Sequence, residues 1–214
     1  IDLDDYTHVL MVSGRYGALG ESESEELADW VRRGGVLVAS KSAAVWAEEA
    51  ILGMGEDEDE ESGGREEAEA PEEDPAAERR SYVDYEQERA VEYLSGAIFA
   101  VELDPSHPMA FGYRDGRLPV FRNSTLTLSP TENPYEVVAR YMDAPLLSGY
   151  VSDDNLAEIA GTDAVIATRL GRGAVIRMAD NPNFRGSWYG TSKLYLNPVF
   201  FGSVIKQTSS PAHW

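Results

Sequence analysis

The chain has 214 residues, of which 38 are acidic and 18 are basic, giving a formal net charge of −20. Its hydrophobic content of 43% supplies enough apolar side chains for a core, so the chain as a whole is not disordered. Nucleic-acid phosphates are bound by clusters of Lys and Arg, and this charge balance excludes nucleic acid as a partner. No apolar run approaches the roughly 20 residues that cross a bilayer, so we expect no membrane span.

The residues that usually carry metal or thiol chemistry are scarce. The chain has no cysteine and three histidines, namely His8, His107 and His213. This excludes disulfides and a cysteine nucleophile, and no histidine belongs to an H-x-x-E or H-E-x-x-H pair. We therefore expect no metal and no cofactor in this chain.

The first fifty residues alternate between strand-like and helix-like segments. In chain order, we predict a buried strand at 8–12, a helix at 21–33, a second buried strand at 36–39 and a helix at 43–52. In the first helix, Leu27, Trp30 and Val31 share one face, while acids begin the helix and arginines end it. This order indicates parallel strands with crossover helices.

An acidic segment interrupts this pattern. Between Glu56 and Glu78 there are thirteen acids and a single base, Arg65. The segment lacks apolar residues larger than alanine, so it cannot bury enough surface to offset its ordering entropy. We predict that 55–80 is a disordered acidic insertion within one domain made of 1–54 and 81–207, followed by a tail at 208–214. The insertion either aids solubility or binds a cation or a partner.

The second half of the chain is also of the α/β type. Pro134 is well placed to begin a helix, with Asn133 as its cap. Two apolar runs joined by Gly171-Arg172-Gly173 predict an antiparallel hairpin. The predicted elements are helices at 83–94, 134–141 and 192–204, strands at 97–103, 163–170 and 174–179, and extended pieces at 118–121 and 125–128.

Four stretches carry a resemblance to a known family. They are residues 5–46, VELDPSHPMAFGY at 101–113, PLLSGYVS at 145–152 and ADNPNFRGSWYGTSKLYLNPVFFG at 179–202. Together they resemble the class I glutamine amidotransferase-like domain that follows the catalytic domain in bacterial zinc carboxypeptidases of the carboxypeptidase A type. The resemblance implies a flavodoxin-like three-layer sandwich, with a mostly parallel sheet and an antiparallel hairpin.

Two departures from this family bear on the interpretation. Such domains open with a strand, a helix and a second strand that are missing before Ile1, and their absence would leave a gap in the sheet or a raw sheet edge. Either the chain was cut or, as we expect, the preceding residues belong to a longer protein and are not shown. Working amidotransferases carry a Cys nucleophile on the turn that reads Ser40-Lys41-Ser42 here. Lysine is a poor nucleophile unless its pKa is lowered, so we predict no glutamine hydrolysis.

Two sets of residues are candidates for binding. Ligands of open α/β sheets bind at the carboxyl ends of the strands, which predicts a pocket for an anion or a peptide carboxylate. The pocket residues are Ser13, Gly14, Tyr16, Lys41 and Ser42. A polar-aromatic loop suits a sugar, a peptide or a neighbouring domain, and it comprises Asn181, Asn183, Phe184, Arg185, Trp188 and Tyr189.

Each candidate also has a purely structural interpretation. The turn at Lys41 would then be vestigial, and the loop after residue 179 would only connect two elements, with Arg185 capping a helix or pairing with Asp180. His107 is either a relic of a catalytic histidine or a turn residue that bonds to the backbone.

Three functions follow from these patterns. In the first, the chain is a non-catalytic accessory domain that packs on an upstream peptidase domain or presents peptides to it. The resemblance then implies zinc in the parent's catalytic domain and a secreted or periplasmic protein, although the acidic first residues show no export signal. The second function is small-molecule or carbohydrate binding in the crevice near Lys41. The third is an amidohydrolase that uses Ser42.

Overall fold

The computed structural model describes residues 2–54, 82–84 and 94–208. The predicted acidic insertion at 55–80 lies outside the described residues, as do 85–93 of the predicted helix at 83–94 and all of the predicted tail except Thr208. Tyr82–Asp84 forms a short 3-10 turn.

Seven strands form one mixed sheet in the order β1-β2-β7-β6-β5-β3-β4. The strands are β1 (His8–Met11), β2 (Val36–Ser40), β3 (Ala97–Leu103), β4 (Arg117–Arg122), β5 (Val137–Ser148), β6 (Asp163–Leu170) and β7 (Gly173–Met178). Only the β1–β2 and β2–β7 pairs are parallel among the described strands, and the other four neighbouring pairs are antiparallel.

The predicted α/β class and the hairpin are therefore confirmed, but the expectation of a mostly parallel sheet is wrong. The hairpin pairs β6 with β7 and turns at Gly171, whose φ of 60° suits glycine. A parallel pair needs a crossover of a dozen or more residues, and a tight turn such as this one enforces antiparallel pairing.

Helices cover both faces of the parallel part of the sheet. The helices are α1 (Glu21–Arg33), α2 (Ser42–Ala50), α3 (Asp153–Ile159) and α4 (Ser192–Phe201). Ala39 of β2 lies opposite Arg177 of β7, and Arg177 pairs with Glu48, so α2 lies on this face, with α1 packed beside it. Val36 points to the opposite face and packs against Gly202, at the end of α4. Every residue of β2 and β7 is buried, as expected for parallel strands covered on both faces.

The prediction for the first helix is confirmed. Leu27, Trp30 and Val31 are buried, Arg32 and Arg33 lie in its last turn, and the helix ends at Gly34, whose φ is 129°. Only a residue without Cβ adopts that backbone conformation readily, so the position of Gly34 fixes the end of the helix.

The predicted helix at 134–141 is wrong. Asn133 does act as a cap, because its Oδ1 accepts a hydrogen bond from the backbone N–H of Tyr135, but the turn ends after Glu136. The chain then enters β5, which pairs with both β3 and β6. β-branched and aromatic side chains such as Val138 and Tyr141 pack well in a sheet, and this tertiary pairing outweighs the local helix signal. The segment 125–128 forms no strand, and α3 was not predicted.

The last helix is shorter than the predicted 192–204. α4 ends at Phe201 and continues as a 3-10 turn, Gly202–Val204.

β1 is an edge strand of the sheet and pairs with β2 alone among the described strands.

Candidate functional site

Lys41 occupies a strained turn between β2 and α2. Its φ and ψ are 56° and −126°, a conformation that residues other than glycine rarely adopt. Its backbone N–H donates to the carbonyl of Met178, at 2.8 Å, which ties the turn to the end of β7. Such a conformation costs about 1–3 kcal/mol and persists only where the surrounding structure enforces it.

The side chain of Lys41 runs towards the end of β4. Its Nζ donates to Asn123 Oδ1 at 2.8 Å, and the side chain is half-buried. Burial lowers the pKa of Lys41, and the Arg122 cation lowers it further, while the Asp180 carboxylate opposes both effects. The net result favours the neutral amine more than in an exposed lysine.

A buried network of Arg122, Tyr141 and Asp180 lies beside this amine. Arg122 is completely buried and donates to Tyr141 Oη at 2.7 Å and to Asp180 Oδ1 at 3.2 Å. Tyr141 Oη in turn donates to Asp180 Oδ2. Burial raises the pKa of Asp180, against the opposing effects of Arg122 and Tyr141, and burial also raises the pKa of Tyr141 well above its usual value.

The curvature of the sheet brings this network together. Arg122 ends β4, whereas Asp180 follows β7, and three strands separate β4 from β7 in the sheet order. Their direct contact requires the sheet to curl strongly. Sequence reasoning offered Arg185 as a partner for Asp180, and it missed Arg122, because nothing local indicates that β4 ends near β7.

Three other predicted pocket residues lie together near the turn. Ser42 Oγ lies 3.1 Å from Ser13 Oγ, accepts from the backbone N–H of Gly14 at 3.0 Å and donates to the carbonyl of Gly14 at 3.0 Å. These bonds join the end of β1 to the start of α2. The Ser42 hydroxyl therefore bonds to backbone groups and to Ser13, and not to a side chain that could act as a general base.

Tyr16, the fifth predicted pocket residue, folds back over its own turn. Its ring centroid lies 5.5 Å from that of Trp46, and its hydroxyl donates to the carbonyl of Val12. Burial raises the pKa of this phenol. Tyr16 therefore packs over the turn after β1. Among the described residues, it makes no hydrogen bond to Lys41.

The polar-aromatic loop after β7 is held partly by aromatic stacking. Phe184 stacks on Phe121, with ring centroids 3.9 Å apart, and the guanidinium carbon of Arg185 lies 5.2 Å from the centroid of Phe184. Arg185 has a φ of 53°, the second positive value for a non-glycine residue in the described part of the chain. Arg185 thus covers an aromatic pair, and the described structure pairs Asp180 with Arg122 instead.

The remaining loop residues divide between internal bonding and exposure. Asn181 Oδ1 accepts from the backbone N–H of Asn183 at 2.9 Å, and Trp188 Nε1 donates to the carbonyl of Pro119 at 3.3 Å. Tyr189 is 80% exposed. The loop is therefore anchored to the rest of the fold and presents Tyr189 to solvent.

The enclosed space behind the loop is small. A cavity of about 20 Å³ lies beside Asp180 and Phe121, which is room for about one water molecule. A sugar or an amino acid does not fit there, and Lys41 is not among the residues that line this cavity.

A second buried network lies under α2, and it was not predicted from the sequence. Arg177 donates to Glu48 at 2.6 Å, and Glu48 also accepts from the backbone N–H and the hydroxyl of Ser129, at 3.0 and 2.9 Å. Burial lowers the pKa of Arg177, and Glu48 opposes this effect. In retrospect, a lone arginine in the apolar run of β7 was the signal, because such a residue needs a buried partner.

His107 acts as a turn residue. Its Nδ1 accepts from the backbone N–H of Met109 at 3.1 Å and caps the 3-10 turn Pro108–Ala110, while burial lowers its pKa. His8 Nδ1 lies 2.9 Å from Thr7 Oγ1, and His213 lies outside the described residues. Within residues 2–54, 82–84 and 94–208, no group of three or more His, Asp or Glu side chains could hold a metal ion, and no helix in this part of the chain is long and apolar enough to cross a membrane.

Comparison with known proteins gives similarity at the level of structure only. No family model and no curated protein matches the chain. Among solved structures, the chain is similar to a putative ThuA-like protein from Parabacteroides merdae, with 13% identity, coverage of 98% of this chain and 75% of that one, and a TM-score of 0.46. A cytoplasmic protein from Salmonella typhimurium gives 12% identity, 94% and 73% coverage and a TM-score of 0.43.

A beta-galactosidase from Rahnella sp. R3 is similar at 13% identity, with coverage of 99% of this chain and 25% of that one and a TM-score of 0.41. Similarities at this level do not bear on function.

Proposed function

We propose that this chain is an amidotransferase-like accessory domain without glutaminase activity, and that it docks onto another domain of its parent protein. Parallel strands with helices on both faces support a flavodoxin-like fold. The turn at Lys41 has the backbone conformation of a nucleophile turn, but it carries a lysine. In this proposal the parent is a secreted or periplasmic bacterial zinc carboxypeptidase, as the sequence resemblance implies, and zinc belongs to its upstream catalytic domain.

The observation that carries the docking proposal is the outer surface of α4. Leu196, Val199 and Phe200 are 52%, 37% and 70% exposed, although the opposite side of α4 is buried against the sheet. Phe111 continues this surface, because it is 65% exposed and its ring centroid lies 5.0 Å from that of Phe201. We call Phe111, Leu196, Val199 and Phe200 the α4 patch. An exposed patch of large apolar side chains marks an interaction surface, and the proposed cover is the upstream peptidase domain.

The experiment compares this chain alone with the whole parent protein by amide hydrogen exchange. We expect α4 to exchange more slowly in the whole protein, and Phe200→Glu to remove that protection. Tyr150→Glu is the matched control, because Tyr150 is 63% exposed and lies outside the α4 patch. Equal exchange of α4 in both proteins, or an upstream sequence without an H-x-x-E motif and a distant histidine, would contradict the proposal.

A second candidate function is small-molecule or carbohydrate binding in the crevice near Lys41. The positive φ of Lys41 favours it, because backbone strain of this kind clusters at binding and catalytic sites. A thermal-shift screen with sugars, amino acids and anions tests this candidate. The absence of any shift in melting temperature would count against it. The amidohydrolase alternative has less support, because the Ser42 hydroxyl bonds to Gly14 and not to a base.

A further inference from the structure

Lys41 differs from the other lysines of the chain in ways that bear on its reactivity. The sequence contains three lysines, Lys41, Lys193 and Lys206. Lys193 and Lys206 are exposed, and Lys193 Nζ donates to the carbonyl of Gly112 at 2.6 Å. Lys41 alone of the three is half-buried, has a positive φ and lies near a buried arginine.

The strained turn fixes where the Lys41 side chain begins. A glycine would adopt this backbone conformation without the steric cost. The fold instead holds a strained lysine at the carboxyl end of β2. The bond from its N–H to Met178 holds the turn, and the bond from Nζ to Asn123 holds the amine. Both ends of the side chain are therefore positioned.

The surroundings also favour the reactive form of the amine. A neutral amine is a nucleophile and an ammonium is not, and lysines become nucleophilic when they are desolvated or lie next to another cation. Burial meets the first condition and is what lowers the pKa of Lys41, whereas the Asp180 carboxylate raises that pKa by more than the Arg122 cation lowers it. The Asn123 side-chain NH₂ has no partner among the described residues, so it is free to donate to a carbonyl oxygen beside Nζ.

We propose that Lys41 binds a small carbonyl compound covalently, as an imine. The amine nitrogen attacks the carbonyl carbon and forms the C–N bond of a carbinolamine. The carbonyl oxygen then leaves as water and takes both protons of the amine with it, so the step needs no oxidant or reductant. This proposal rests on the crevice of the second candidate function and is independent of docking through the α4 patch.

The charges around the crevice select an uncharged ligand. Arg122 is completely buried, and its Nη1 and Nη2 donate to Tyr141, Asp180 and the carbonyl of Leu126, while its Nε is buried without a partner among the described residues. A guanidinium buried in this way does not offer a cation to an anionic ligand. The chain also carries a net charge of −20, which repels anions at long range. The free amide of Asn123 suits a hydroxyl group or a carbonyl oxygen, so the ligand class is a short hydroxy-aldehyde.

The test uses glycolaldehyde as the probe and sodium cyanoborohydride to trap the imine, followed by peptide mass mapping of all three lysines. Lys193 and Lys206 are internal controls, and labelling in urea corrects for intrinsic differences between sites. We expect Lys41 to be labelled at least about tenfold faster than either control in the folded protein. Positioning of reacting groups can accelerate a reaction by much more than this factor. Equal rates at the three lysines would overturn the proposal.

Variants and a charged probe sharpen the result. Asn123→Asp places a carboxylate beside Nζ, which favours the ammonium, so we expect labelling of Lys41 to fall about tenfold and to recover at higher pH. Lys41→Arg should abolish the adduct at this position while the melting temperature stays close to that of the wild type. Faster labelling by glyoxylate than by glycolaldehyde would overturn the choice of an uncharged ligand. A thermal shift without trapping would overturn the imine and leave non-covalent binding in place.

Discussion

The fold contains two buried arginines whose surroundings differ in one important respect. Arg177 and Glu48 form a closed pair, with side chains 1% and 4% exposed, and Ser129 completes the bonding of the carboxylate. Arg122 is buried equally well, but its partner Asp180 also faces the half-buried amine of Lys41. The first site therefore holds α2 against the sheet, whereas the second lies beside the half-buried amine of Lys41.

This comparison shows that burial of an ion pair does not by itself indicate function. Desolvation of two charges offsets much of their attraction, so a closed pair adds little net stability although loss of one partner is costly. A pair that borders an accessible group influences the pKa of that group as well. What distinguishes the Arg122 site is its neighbour, Lys41, and not the strength of its bonds.

The largest expected effect is the loss of Glu48. Glu48→Ala leaves Arg177 as an uncompensated buried charge and should lower the free energy of unfolding by about 3–5 kcal/mol, measured by urea denaturation. Glu49→Ala is the control, because Glu49 is exposed on the same helix and should change stability by less than about 0.5 kcal/mol. Replacing both Glu48 and Arg177 by Met should restore most of the lost stability. A loss of stability in Glu48→Ala no larger than that in Glu49→Ala would show that the Glu48–Arg177 pair does not hold α2 against the sheet.

A smaller effect is expected at the strained turn. Lys41→Gly removes the steric cost of the positive φ and should raise the free energy of unfolding by about 1 kcal/mol, less than the full strain because glycine is also more flexible when unfolded. Lys41→Ala keeps the Cβ and the strain, so it separates the backbone effect from the loss of the amine. Equal stabilities of the Gly and Ala variants would mean that the turn stores no strain.

The smallest expected effect is the dependence on pH that Asp180 gives to the free energy of unfolding. Because burial raises the pKa of Asp180 in the folded protein, the folded state binds this proton more tightly than the unfolded chain does. The resulting stabilisation is present below the unfolded pKa, about 3.9, and is lost as the pH rises through the folded pKa. The stability of the wild type relative to Asp180→Asn should therefore decline as the pH rises above about 4.

The decline is measured from the urea denaturation midpoints of the wild type and Asp180→Asn at a series of pH values from about 4 upwards. Repeating the series at high salt separates it from the general repulsion of a chain with a charge of −20. A difference that grows with pH would mean that Asp180 is stabilised as a carboxylate, which would make its site resemble the Glu48–Arg177 pair.

Local signals were enough to predict several elements. The face formed by Leu27, Trp30 and Val31, the end of the first helix at residue 33 and the turn at Gly171 each depend on neighbouring residues alone, and all three were confirmed. The helix predicted after Asn133 failed although its cap was identified, because pairing of β5 with two strands outweighed local propensity. Lys41 was identified from the family resemblance, which places it on the turn of the nucleophile, and from its position at the carboxyl end of a predicted strand.

Contacts between distant residues were decided by the tertiary structure. The curl of the sheet brings Arg122 to Asp180 over 58 residues of chain, and Glu48 meets Arg177 across 129 residues. No periodicity encodes such pairings, because they depend on strand order and on the direction in which each strand runs. The sequence by itself determined that a lysine stands at the end of a buried strand. The fold decided how far that lysine is buried and which charges surround it, and burial has the largest effect on its pKa.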